Sequence, residues 1–406
     1  MLHLLARLRQ EIPFALFATH VCHGLVPGAD VWGRACGDIC AQLEVPLACI
    51  DVSVSRDHPG GLEAAARQAR REALLRSGEP VLALAHHRDD QAETVLFRSI
   101  RGAGVRGVAA MRGANVTSSG QVLWRPLLEV PRSALLVYAQ EHGLSWIEDP
   151  SNADQGFSRN FLRHGVMPLL EARFPGATIG LSRLGRLCGE ASDLLDELAR
   201  TDLAAMAPCG LPYLDRNVAL GLSSARLRNV MRCALESEGV AMPDEDRLRE
   251  IERQFRTDGA PRGLRLPVGE VAFCIFRESW WVEPLPLDTP PAFSPCSGSE
   301  PVSWGRGLVS FEAVTGDGLA ADLLRARECC LKVRAGGERM RLRQGSPMRT
   351  LKNLLQEAAV PPWRRPFLPM LWVDGQLAWV AGVGVAAEFQ CAPGQPGLRP
   401  VWSLHR

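Results

Sequence analysis

The segment AHHRDDQAETVLFRSIRGAG (85–104) ends an apolar run in two histidines and two aspartates, then opens an amphipathic stretch. Asp90 and Glu93 stand three residues apart there, on one face if the stretch is helical. Two readings fit this spacing. Asp90 as N-cap with Glu93 at the third helical position makes a capping box, which satisfies amides that the helix leaves unpaired. At the carboxyl end of a strand in a parallel sheet, the same carboxylates face a ligand cleft, where they suit an ammonium group or Mg²⁺ carried on phosphates.

A second constellation is WIEDPSNADQGFSRNFLRHGVMPLL (146–170), in which Glu148, Asp149, Ser151 and Asn152 form a polar turn. The helix expected after it carries Arg159, Asn160 and Arg163 in its first turns. Arginine near a helix N-terminus opposes the dipole, so a compensating anion is expected nearby. Asp149 in a salt bridge and a bound phosphate or nucleotide both meet that need. In LEAAARQARREALL (62–75), Arg67, Arg70 and Arg71 lie near Glu63 and Glu72, which reads by itself as a solvated face laced by ion pairs. HVCHG (20–24) is less specific: His20 and His23 at a strand end are as readily packed as functional, and Gly24 serves a turn.

The elements that must position these groups alternate. Strand-like runs at 14–21, 46–54 and 81–87 are separated by helical patterns at 32–43, 62–76 and 90–100. Such alternation implies parallel strands with crossover helices, a doubly wound α/β layer whose ligands bind at the carboxyl ends of the strands. His20, His23, His86, His87, Asp89 and Asp90 all fall at those ends. Residues 158–205 and 224–256 read as helical, 271–283 as short strands, and 284–301 as a Pro/Ser-rich linker. The tail holds a helix at 350–358 between strand-like segments, a small α+β module.

At 406 residues the chain is long enough for two or three domains. No apolar run of about 18 residues reads as membrane-spanning, and Arg7, Arg9 and Glu11 interrupt any signal-peptide core. A cytoplasmic protein is expected. Twelve cysteines include no CxxC and no zinc-type Cys/His spacing, so buried free thiols are expected and no protein metal site. The net charge of +1 conceals an arginine bias, since Lys332 and Lys352 are the only lysines. Arginine's planar fork suits phosphate and base recognition. In the tail, arginines 334, 339, 341, 343, 349, 364 and 365 are expected to form a phosphate-contacting surface.

Taken together, HVCHGL, LEAAARQARR, AHHRDDQAETVLFRSIRGAG, WRPLLEV (124–130) and the 146–170 segment occur in the order and spacing seen in tRNA(Ile)-lysidine synthetases, and LKNLLQEAAVPPWRRPFLPMLWVDGQLAWVAG (351–382) is similar to that family's C-terminal module. The resemblance implies a Rossmann-like N-type ATP pyrophosphatase (PP-loop) fold over 1–190 with a mostly parallel sheet. A helical tRNA-binding domain (191–283), the linker (284–301) and a small α+β C-terminal tRNA-binding domain (302–406) follow. It also implies the reaction: ATP adenylylates the C2 oxygen of the wobble cytidine of tRNA(Ile) with a CAU anticodon, and free L-lysine displaces AMP to give lysidine, changing decoding from Met to Ile.

By the same resemblance Asp90, Glu93, Arg67 and Arg163 are catalytic, and Asp149, Asn152, Arg159 and Asn160 bind substrate. His20 and His23 lie by the nucleotide, ATP brings Mg²⁺, and the arrangement allows a homodimer. Arg71 stands where relatives often carry an aromatic. Relatives also open with a strand and an SGGxDS loop, whereas Met1–Leu8 resembles the helix that follows it and no SGGxDS occurs here. An N-terminal truncation is therefore expected, with the main phosphate loop outside the chain and lysidine formation by this form impaired. Two other readings remain: a tRNA thiolase of the same fold, which the missing CxxC disfavours where such pairs are needed, and a non-catalytic tRNA-binding relic.

Overall fold

The computed structural model describes all residues except 25–28, 56, 58–60, 118, 208–212, 258–262, 286–288, 298–299 and 405–406. They form two compact units, Met1–Leu195 and Asp196–Arg406.

In the first unit the order is α1 (Leu2–Leu8), β1 (Ala18–Cys22), α2 (Ala29–Gln42), β2 (Leu47–Asp51), α3 (Gly61–Leu75), β3 (Val81–Ala83), α4 (Arg88–Ile100), α5 (Val105–Val108), β4 (Ala114–Val116), β5 (Val122–Trp124) and α6 (Arg132–Glu141). β1 pairs with β2 in parallel, His20 opposite Cys49. β3 pairs with β5 in parallel, and β4 adds to β5 antiparallel. Parallel neighbours need crossovers, which the helices supply, and this is the mostly parallel α/β class the alternation implies. The strand expected at 81–87 ends at Ala83, although the Leu84 amide still donates to the Trp124 carbonyl at 2.8 Å.

Leu82, Ala92, Val95 and Leu123 are buried where β3, β5 and α4 meet. α7 (Ser158–Phe161) runs through a π-turn over Leu162–Val166 into α8 (Met167–Arg173), and α9 (Ala177–Met206) follows. A side chain at Gly185 of α9 would come within 2.8 Å of Val95, so glycine there lets α9 pack closely on α4.

The second unit continues with β6 (Leu214–Asp215), α10 (Arg216–Leu220), α11 (Ser224–Ser237), α12 (Glu245–Arg256), β7 (Leu264–Val268), β8 (Val271–Phe276) and β9 (Ser279–Pro284). α12 starts where Asp244 accepts from the Arg247 amide at 2.8 Å, and its Leu248, Ile251 and Phe255, spaced three and four apart, are fully buried. They pack with Leu227, Met231, Phe273 and Trp280 on the antiparallel sheet β6-β9-β8-β7.

Beyond lie β10 (Phe293–Pro295), β11 (Val302–Trp304), β12 (Gly307–Thr315), β13 (Leu319–Ala320), α13 (Ala321–Ala326), β14 (Cys329–Lys332), β15 (Arg339–Met340), β16 (Arg349–Thr350), α14 (Leu351–Glu357), β17 (Met370–Val373), β18 (Gln376–Val380), β19 (Gly384–Val385) and β20 (Pro396–Leu404). Sheets β10-β14-β17-β18-β19 and β11-β12-β20-β13 enclose a second core around Trp304, Leu331, Leu355 and Leu371. β10 lies inside the Pro/Ser-rich stretch 284–301 and pairs with β14, so that stretch supplies an edge strand as well as a connection.

Candidate active site

α4 begins one turn earlier than its carboxylates suggest. His87 is the N-cap: its Nδ1 accepts from the Asp90 amide at 3.3 Å, and the His87 amide donates to Asp90 Oδ2 at 3.0 Å. The capping box is therefore His87 with Asp90. This corrects the expectation of Asp90 with Glu93 and leaves the Glu93 carboxylate out of the cap.

Glu93 instead meets arginines from the far side of a loop. Arg163 donates from Nε to Oε1 at 2.7 Å and from Nη2 to Oε2 at 2.9 Å, while Arg159 Nε donates to Oε2 at 3.1 Å. Asp90 Oδ1 accepts from Arg159 Nη2 at 3.0 Å and from Arg163 Nη2 at 2.9 Å. Each carboxylate thus touches both guanidiniums. The arginines share a face because they are four residues apart, Arg163 standing within the π-turn, a backbone irregularity frequent at functional sites. The side chains of Glu93 and Asp90 are 4% and 13% exposed, those of Arg159 and Arg163 26% and 29%, so the guanidiniums lie on the solvent side. Burial works against the charge of Arg163, but Glu93 and Asp90 outweigh it and hold the guanidinium above its ordinary value.

Glu93 and Arg159 also line a cavity of about 1150 Å³ whose wall includes Arg67, Arg70, Arg71 and Arg125. Arg125 is pulled below its ordinary value by burial and by the charges of Arg71 and Arg67. Like charges crowded on one wall favour an anion in the cavity. His86, on the same wall, is pushed down to about 4 by burial, with Arg125, Arg159 and Arg67 adding to the effect against Asp90, so its imidazole is neutral near pH 7. Its Nδ1 is buried without a hydrogen-bond partner.

Asp149, Asn152 and Asn160 have bonds within the polar turn and the helix after it. The Asp149 carbonyl accepts from the Asn152 amide at 3.0 Å, and the Asn152 carbonyl is 2.9 Å from His164 Nε2. Asn160 donates from Nδ2 to the Asp154 carbonyl at 2.9 Å. These bonds tie the polar turn to the start of α7. His20 lies on β1 with Nδ1 3.8 Å from Cys36 Sγ, and His23 just beyond β1 has a buried Nδ1 without a hydrogen-bond partner.

Among the described residues, four of the seven tail arginines pair with carboxylates. Arg334 pairs with Glu338, Arg341 with Glu388 and Arg349 with Glu357. Arg364 is half-buried against Glu283 at 2.6 Å and lies over the Trp281 and Tyr213 rings. The expected phosphate surface therefore loses Arg364, which holds the tail to β9. Among the described residues the cysteines are free thiols, and no group of three His, Cys, Asp or Glu side chains is placed to hold a metal.

Residues 1–170 match the PP-loop domain model, residues 214–281 the TilS substrate binding domain and residues 329–402 the TilS substrate C-terminal domain. A tRNA(Ile)-lysidine synthase of Aromatoleum aromaticum is 47% identical over 403 residues, covering 99% of this chain and 94% of that protein. The chain belongs to the tRNA(Ile)-lysidine synthase family. A second lysidine synthase, from Azoarcus sp., is 44% identical and covers 99% of this chain and 88% of its own. Among solved structures, the U34-tRNA thiolase NcsA from Methanococcus maripaludis with its [4Fe-4S] cluster aligns with a TM-score of 0.38 at 18% identity over 46% of this chain and 66% of that chain, too distant to carry chemistry across.

The PP-loop match of this lysidine synthase family member contains the whole Asp90–Glu93–Arg159–Arg163 cluster. Sequence reasoning passed over His86, Arg70, Arg71 and Arg125 as site residues. His86 stood at a strand carboxyl end beside the chosen Asp90, which was signal enough. Arg125 lies within the WRPLLEV motif, but its place on the cavity wall depends on the β3–β5 pairing.

Proposed function

We propose that this chain ligates free L-lysine to C2 of the wobble cytidine of the AUA-reading tRNA(Ile), consuming ATP and releasing AMP and diphosphate. The observation that carries this reading is the arginine-walled cavity lined by Glu93, whose carboxylate lies beside that of Asp90 and is held by Arg159 and Arg163. In the first step the cytidine C2 oxygen bonds to the α-phosphorus and diphosphate leaves. In the second the lysine ε-amine bonds to C2, AMP departs with the oxygen, and the amine releases a proton. Arg67, Arg70, Arg71 and Arg125 neutralise the phosphates, and Asp90 and Glu93 accept the ammonium of lysine. Mg²⁺ enters on the phosphates of ATP.

Asp149, Asn152 and Asn160 shape the rim that receives lysine and cytidine, and His20 and His23 border the nucleotide. Residues 1–190 are assigned to catalysis, 191–283 and 302–406 to gripping tRNA, with 284–301 between them. No described helix is long and apolar enough to cross a membrane, and we place the reaction in the cytoplasm. The test is ATP-dependent incorporation of labelled lysine into a tRNA(Ile) transcript with a CAU anticodon, against one with uridine at the wobble position. It is run on the 406-residue chain. Absence of incorporation, with tRNA bound, would end this reading.

A further inference from the structure

The groups best placed to receive a cation are covered. Asp90 and Glu93 are satisfied by Arg159 and Arg163, and the guanidiniums lie between the carboxylates and solvent. Arg159 also lines the cavity in which Arg67, Arg71 and Arg125 crowd one another. Two sinks therefore compete for Arg159, with Arg163 bonded to the same carboxylates beside it: a buried carboxylate pair and an anion entering the cavity.

From this geometry we infer that Arg159 and Arg163 act as positioning residues that exchange partners, turning from Asp90 and Glu93 to a bound polyphosphate and so uncovering the carboxylates for the lysine ammonium. The inference rests on the lysine-ligating reading and adds a coupling between its two ligands. A carboxylate as buried as Glu93 is costly to leave unpaired, so the arginines depart only when another cation replaces them. The cluster begins with two negative and two positive charges. A polyphosphate draws the guanidiniums through bidentate, charge-assisted bonds, and the vacated site, two carboxylates at i,i+3, suits an ammonium with three donors. Lysine and polyphosphate should therefore bind cooperatively, each tightening the other by the same factor. A fixed structural ion pair would produce no such coupling.

The experiment is calorimetric titration of L-lysine into the full chain with and without saturating inorganic pyrophosphate, at constant ionic strength. Lysine affinity is expected to rise about tenfold with pyrophosphate, and pyrophosphate affinity to rise equally with lysine. Arg163→Gln, which removes the bidentate cover from Glu93, should bind lysine more tightly than wild type without pyrophosphate and lose the coupling. The wild-type coupling keeps the inference testable should that variant fail to fold. Lysine affinity unchanged by pyrophosphate, or weakened in a folded Arg163→Gln, would overturn it. Labelled-lysine incorporation into tRNA, measured alongside, separates the two failures: incorporation without coupling removes the exchange alone.

Discussion

Asp90 and His87 close two reciprocal hydrogen bonds across the first turn of α4, the His87 amide to Asp90 Oδ2 at 3.0 Å and the Asp90 amide to His87 Nδ1 at 3.3 Å. Asp90 Oδ1 remains for the guanidiniums of Arg159 and Arg163. One carboxylate thus caps a helix and faces the site.

The two tasks separate by substitution. Asp90→Asn keeps an acceptor for the His87 amide but removes the charge, so lysine transfer should be abolished while tRNA binding persists. Asp90→Ala should lose activity and, in addition, about 1 kcal/mol of stability from the cap. Glu93→Gln, outside the cap, should match the first. Lysine incorporation, filter binding of tRNA and a denaturant midpoint on each variant check this. Near-wild-type incorporation by Asp90→Asn and Glu93→Gln would leave the pair a structural role only.

The exposed Arg70 and Arg71 on the cavity wall offer phosphate contacts. Replacing both with glutamine should weaken inorganic pyrophosphate binding and flatten its salt dependence. Binding constants measured from low to moderate salt decide it. An unchanged slope returns both residues to the solvated face.

His86 imposes a pH dependence. Its folded value of about 4 lies below the ordinary value of 6.5, so between these values the unfolded chain binds a proton that the native chain refuses. Stability should be free of this penalty above pH 6.5 and fall as pH drops toward 4. His86→Asn should flatten that part of the curve in denaturant midpoints taken from pH 7 to 4.5. A parallel wild-type curve would show that His86 takes up its proton readily in the folded chain.

Arg364 should behave as a structural residue. Removing it leaves the buried Glu283 with Arg265 as its remaining ion-pair partner and strips a cation from the Trp281 ring. Arg364→Ala should cost about 3 kcal/mol in the unfolding of the second unit. Burial alone would raise Glu283, yet Arg364 and the Trp281 indole hold it below its usual range. Its stabilising contribution is therefore present above the ordinary carboxylate value and lost as pH falls below it. Arg349→Ala, at an exposed pair with Glu357, should leave stability nearly unchanged. Equal losses from the two would refute the distinction.

The sequence by itself determined what depends on neighbours along the chain. Alternating apolar runs specified β1, α2, β2, α3, β3 and α4 to within a few residues, because side-chain periodicity is local. The i,i+3 spacing placed Asp90 and Glu93 on one helical face, and the 146–170 segment put Arg159 and Arg163 in the first turns of one helix. The motifs in their order identified the family. The helix start was missed because a carboxylate is the commoner cap, and the extended backbone at His87 became visible only in three dimensions. Only the tertiary structure decided which charges meet. Asp90 and Glu93 face arginines about 70 residues away because the π-turn turns Arg163 onto the start of α4. Arg341 is likewise neutralised by Glu388, 47 residues on. Such pairings follow from how elements pack, and a charge pattern read along one element cannot contain its partner on another.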